Sequence, residues 1–104
     1  MPKQFDISAF YYLNYPDSCP VDDVNAGSEV RVELGGEGAR LASFDFTVSV
    51  FVCTPGFLEK RVLIDKNGIF LQNAIIVRRF RDETVRQALE EHLDLLIRLP
   101  HLEQ

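Results

Sequence analysis

The sequence predicts an α+β domain in which a mostly antiparallel sheet of about five strands carries one C-terminal helix packed on one face. Three observations lead there. Apolar residues recur at period two through most of the first eighty positions. Glycine- and proline-rich breaks separate these runs. After Arg81 the period changes to that of an amphipathic helix. Strands first and a helix last make a two-layer arrangement, with the far face of the sheet partly exposed. The 104 residues suit a single domain, residues 1–104, with a C-terminal tail from about 100.

The first strand is expected within QFDISAFYYLNY, residues 4–15. Phe5, Ile7, Ala9, Tyr11, Leu13 and Tyr15 fall on one side; Asp6, Ser8, Tyr12 and Asn14 fall on the other, with Phe10 among them. Pro16 and Pro20 then deny the ladder its donors, so a loop runs to Ser28. EVRVEL, residues 29–34, points Val30, Val32 and Leu34 inward. SFDFTVSVFVC, residues 43–53, gives Phe44, Phe46, Val48, Val50 and Val52 one face. With the glycine-rich turn at 35–40 these two segments predict an antiparallel hairpin.

Thr54 is placed to cap a single helical turn whose first position, Pro55, has no N–H to lose. Val62, Leu63 and Ile64 predict a short strand. Asp65-Lys66-Asn67-Gly68 predicts a tight hairpin turn, and Ile69 to Phe80 a returning strand broken near Gln72–Ala74. The helix is expected over Asp82 to Leu99, with Asp82 as N-cap. Val85, Ala88, Leu89, His92, Leu93, Leu96 and Leu99 form its apolar stripe, and Pro100 ends it.

Composition narrows the function classes. The chain is 46% hydrophobic and 26% charged, with eight Phe, three Tyr and no Trp, as suits a packed core. Its net charge of −5 repels phosphate backbones, so nucleic acid is not an expected partner and a neutral or basic protein is. Two cysteines, Cys19 and Cys53, do not make a disulfide framework. No apolar run approaches a membrane span, and no charged start with an apolar stretch follows Met1; a cytoplasmic protein is expected.

No enzyme motif is present, and neither a catalytic residue nor a cofactor or metal site is assigned. Gly35-Gly36-Glu37-Gly38 lacks the lysine and the strand–helix setting of a phosphate loop. A cysteine nucleophile would need His92 or His101 as base; His92 is expected to pack within the apolar stripe and His101 lies in the tail. Asp17, Asp22 and Asp23 lack calcium-loop spacing. Arg78-Arg79-Phe80-Arg81 is basic, but Asp82 and Glu83 follow at once, so it is expected to be a strand end leading into the helix.

One stretch carries a likeness. In SFDFTVSVFVCTPGFLEK, residues 43–60, a strand opening on Phe44 and Phe46 runs into Val52-Cys53-Thr54-Pro55 and the aromatic–Leu pair Phe57-Leu58. This resembles the immunity protein 8 family of bacterial polymorphic toxin systems. The later hydrophobic strand and acidic helix start, Ile75 to Leu96, follow the same layout, so the likeness covers roughly Glu29 to Leu96. It departs where the family often has Trp, since this chain has Phe57, and the first thirty residues have no counterpart in the pattern. The resemblance implies an antitoxin role: binding a cognate protein toxin and blocking its active site or substrate path, with no catalysis. The acidic balance is compatible with a basic nuclease toxin.

Acidic residues concentrate between Asp17 and Glu37, against one cation, Arg31. The expected partner-binding residues are therefore Asp17, Asp22, Asp23, Glu33 and Glu37, with Tyr12 as a nearby exposed aromatic. Two other readings remain: an assembly subunit using an open sheet face, and a small enzyme of unknown reaction built on Cys53 or His92.

Overall fold

Three of the expected strands form a sheet around one valine ladder. β2 (Gly27–Gly36) lies between β1 (Phe5–Tyr12) and β3 (Phe46–Cys53), antiparallel to both. Val30 pairs with Val50 and Val32 with Val48, and all four are buried. The computed structural model describes residues 5–16, 20–36, 46–64, 67–68, 71 and 73–102. Gly35 and Gly36, expected in the hairpin turn, extend β2 instead; the rest of that turn, Phe44 and Cys19 lie outside the described residues.

Among the described residues the sheet is mixed and four-stranded, in the order β1-β2-β3-β4, rather than a five-stranded antiparallel one. The difference arises after β3. Thr54 caps a helix, as expected, with its Oγ1 accepting the Phe57 N–H at 3.3 Å. The helix, α1 (Pro55–Ile64), runs for ten residues instead of one turn. It takes in Val62, Leu63 and Ile64, an apolar run with β-branched Val62 and Ile64 that had suggested a strand. Nothing between Pro55 and Ile64 beyond Gly56 disfavours a helix once it is nucleated. The return is also shorter than expected. β4 (Ala74–Ile76) has three residues and lies parallel to β3, so α1 is a crossover and not one arm of a hairpin. Asn73 enters β4 at φ 55°, within the region where the alternation breaks.

β1 contains the most consequential irregularity. Ile7 pairs with Leu34 but Ala9 pairs with Glu33, so Ser8 is an extra residue, a bulge. A one-residue insertion reverses every side chain beyond it. Phe5 and Ile7 share the inner face as expected. Past Ser8, Phe10 and Tyr12 turn inward and Tyr11 is left exposed. The strict alternation expected through Tyr15 thus fails, and Tyr12 is a core residue and not an exposed aromatic.

The C-terminal helix is two pieces, α2 (Asp82–Glu91) and α3 (Leu93–Leu96). The N-cap is Arg81 and not Asp82. Asp82 instead accepts the Tyr12 hydroxyl proton at 2.5 Å. At the break, His92 Nδ1 sits 2.9 Å from the Ala88 carbonyl, and the His92 backbone N–H is shared between the Ala88 and Leu89 carbonyls at 3.2 Å each. The phase change exposes His92, which the stripe had placed in the core, while Leu93 and Leu96 stay buried with Val85 and Leu89. Phe80 is fully buried, edge-on to Tyr12 and Tyr15 at 4.9 and 5.5 Å. The segment from Arg78 to Arg81 is therefore an irregular anchor and not the end of a strand. The tail returns beside the sheet, where Leu102 N–H donates to the Thr47 carbonyl at 2.7 Å.

Thr54 ties three segments together. Its hydroxyl donates to the Val24 carbonyl at 2.7 Å and accepts from Ala26 N–H at 3.1 Å as well as from Phe57. A side chain at Gly56 would collide with Val24 and Asn25, and one at Gly27 would lie 3.0 Å from the Phe57 ring. These two glycines let the loop before β2 and the start of α1 close over each other. Thr54→Val keeps the shape but leaves the buried Ala26 N–H without its acceptor and removes the cap. We expect a loss of about 2–4 kcal/mol in urea unfolding, from a cap of ~1 and an unsatisfied buried group of ~1–3. An unchanged midpoint contradicts the hub role.

Candidate functional site

The loop from Pro20 to Ala26, where the expected acidic site begins, is held from several sides. Asn25 Nδ2 donates to Asp22 at 2.9 Å, leaving the Asp22 side chain exposed at the surface. Asp23 is different. Its carboxylate accepts Arg81 Nε at 2.5 Å and lies 3.7 Å from Arg79, and its side chain is only 18% exposed. Its carbonyl accepts the Phe80 N–H at 2.7 Å. Asp23 is thus a latch between this loop and the segment leading to α2. The Arg81 hydrogen bond, with the charges of Arg81 and Arg79, holds its carboxyl below the ordinary value against the opposing effect of burial.

The remaining expected site residues do not gather around Asp22. Glu33 lies half-buried on the open face of the sheet, opposite Thr47. It is six positions past Gly27, so about 20 Å of strand separates it from the loop. Tyr12 faces the core, and Asp17 and Glu37 lie outside the described residues. Sequence proximity had grouped charges that the strand spreads apart. The open face carries its own polar row, in which Ser49 donates to Glu29 at 2.6 Å and Arg31 stands 3.7 Å from the same carboxylate.

The candidate catalytic side chains are also placed. Cys53 is buried, and burial pushes its thiol pKa up, away from the reactive thiolate. His92 is exposed and His101 stacks on Phe46 with ring centroids 3.8 Å apart. Among the described residues there is no cluster of three or more metal-ligating side chains, and no helix is long and apolar enough to cross a membrane.

Two grooves mark the edges of the sheet. One, of about 540 Å³, lies between β1 and the start of α2; Tyr12, Asp82, Glu83 and Arg86 line it, with the Arg86 guanidinium 5.0 Å above the Phe10 ring. The other, of about 480 Å³, lies between β4 and α3 and is mainly apolar, with Val50, Ile75, Ile76, Leu95 and Leu99 among its lining. The sequence does not announce it, because Ile69 to Phe80 reads as the returning arm of a hairpin, broken near Gln72–Ala74. The available signal was Leu95, an apolar residue outside the helix stripe.

Among known protein families, curated proteins and solved structures, none matches this chain.

The Asp23 latch has a pH signature. A carboxyl whose folded pKa lies below its unfolded one contributes stability above the unfolded value, and that contribution is lost as pH falls through the folded value. Asp23→Asn should therefore be less stable than the parent at pH 7, and the gap should close below about pH 4, where carboxylates protonate. Urea midpoints at pH 7 and pH 2.5 read this; a gap independent of pH removes the charge from the account.

Proposed function

We propose that this chain is an immunity protein that binds a cognate bacterial toxin domain and blocks it by occupying a surface, with no catalysis of its own. The observation that best supports a binding role is α1. None of its residues is buried, and its last turn presents Val62, Leu63 and Ile64 at 53, 77 and 75% exposure. Single exposed apolar residues are ordinary, but three in succession on one helical turn suit a partner's surface. The Thr54-Pro55 cap that launches this helix belongs to the stretch that resembles the immunity protein 8 family. Thr54 and Phe57 are structural there, so the contact surface would be the outer part of α1.

Charge supports the same reading. Asp22 is exposed at a loop held rigid by Asp23 and Thr54, and the net charge is −5. A basic toxin groove would be drawn to such a surface, with rim carboxylates acting on association rate more than on affinity. Asp22 and Glu33 are the members of the expected acidic set that stand closest to this role, since Asp23 is engaged by Arg81 and Arg79 and Tyr12 by the core. The alternative of an assembly subunit would use the half-buried polar face around Glu29, Arg31 and Ser49.

Co-expression tests the proposal. The chain should restore growth of cells producing the toxin domain encoded beside it, and the two should purify as a stoichiometric complex. Leu63→Asp, on an exposed position, should leave the melting temperature within a few degrees and weaken the complex at least tenfold. A folded protein that neither rescues growth nor binds that domain contradicts the proposal.

A further inference from the structure

The sheet ends at β4, and there the surface changes character. Among the described residues β4 has β3 on one side and no strand on the other. Phe51 N–H donates to the Asn73 carbonyl at 3.1 Å, and Val77 N–H to the Cys53 carbonyl at 2.8 Å. In a parallel ladder the backbone groups alternate in direction, so those of Ala74 and Ile76 point outward. Beside this edge lies the apolar groove of about 480 Å³, floored by Val50 and walled by Ile75, Ile76, Leu95 and Leu99. Among the described residues no carboxylate lines it. Its charged side chain is Arg98, which is exposed and forms no ion pair among the described residues. In a chain of net charge −5 this is a local reversal of sign.

We propose that this edge is the docking site for an extended segment of the partner protein. The segment pairs with β4 as an added strand, sets a large apolar side chain in the groove and presents a carboxylate to Arg98. The inference rests on the binding role above and names its recognition mode. Strand addition uses outward N–H and C=O groups for affinity and pockets for alternate side chains for specificity. Residues two apart share a face of a strand, so the apolar anchor and the carboxylate stand at positions i and i+2. A second copy of this chain fits poorly, because its own edge offers Arg78 after β4 where the site calls for a carboxylate.

The probe is a seven-residue peptide blocked at both ends, with leucine at its centre, aspartate two residues on and threonine or valine elsewhere. It is titrated into the isotopically labelled full chain and followed by backbone amide NMR. The expected result is saturable shifts at Ala74, Ile76 and Leu95. Lysine in place of aspartate should weaken binding at least tenfold, and Arg98→Glu should reverse that preference. Methylating the peptide nitrogens that face β4 should abolish binding. The proposal is overturned by the absence of saturable shifts at Ala74 and Ile76. It is equally overturned if decanoate fills the groove while the peptide does not, or if those amides shift with protein concentration alone. Growth rescue reads the immunity role and the peptide reads the groove. Rescue without peptide binding removes the groove alone, and peptide binding without rescue removes the toxin reading alone.

Discussion

The register of β2 on β3 is the constraint on which the rest of this structure depends. Once Val30 sits opposite Val50 and Val32 opposite Val48, one face of the sheet is apolar along its whole middle. That face must be covered, and α2 and α3 do so with Val85, Leu89, Leu93 and Leu96. β1 must add to the same face, and the Ser8 bulge is how it does so, turning Phe10 and Tyr12 toward the helices. Phe80 then fills the space between Tyr12 and Tyr15, and the Asp23 latch fixes the segment that delivers it. Burying an aromatic of this size contributes on the order of 3 kcal/mol. The contribution is available only because the bulge has placed its neighbours.

The parts of the fold legible in the sequence are those where a single period holds without interruption. β2 and β3 alternate cleanly and were expected with the right inward residues, and Thr54-Pro55 marked a helix start. The failures share a cause, which is that a local pattern was continued through an interruption that only tertiary contacts reveal. Ser8 resembles any other polar strand residue, yet it shifts the phase of β1. His92 follows the stripe of α2, yet its ring and backbone crowd the Ala88 carbonyl and the helix restarts one residue later. Val62, Leu63 and Ile64 have strand propensity, but a nucleated helix runs through them. The acidic set was legible as composition and not as a site, because strand geometry carries Glu33 away from Asp22 and two arginines neutralise Asp23.

What the core leaves over bears on function. With one face of the sheet closed by α2 and α3, the crossover helix α1 packs at its start, where Gly56 meets Val24 and Asn25 and Phe57 leans on Gly27 and Phe51. Its apolar last turn and the groove beside β4 are surfaces that folding does not consume. A rigid scaffold with unpartnered apolar surface at its margins and carboxylates on a braced loop is suited to recognition through a fixed shape. Phe51 packs against Phe57 at the start of α1, while Val62, Leu63 and Ile64 at its end stand exposed.

Hydrogen–deuterium exchange of the full chain, free and with a toxin domain of the kind proposed as its partner, tests most directly whether such a partner contacts these margins. The account predicts slowed exchange in the second half of α1 and at Asn73 to Ile76, with the outer face of α2 unchanged. Protection confined to the outer face of α2, around Glu83, Gln87 and Glu90, would contradict it.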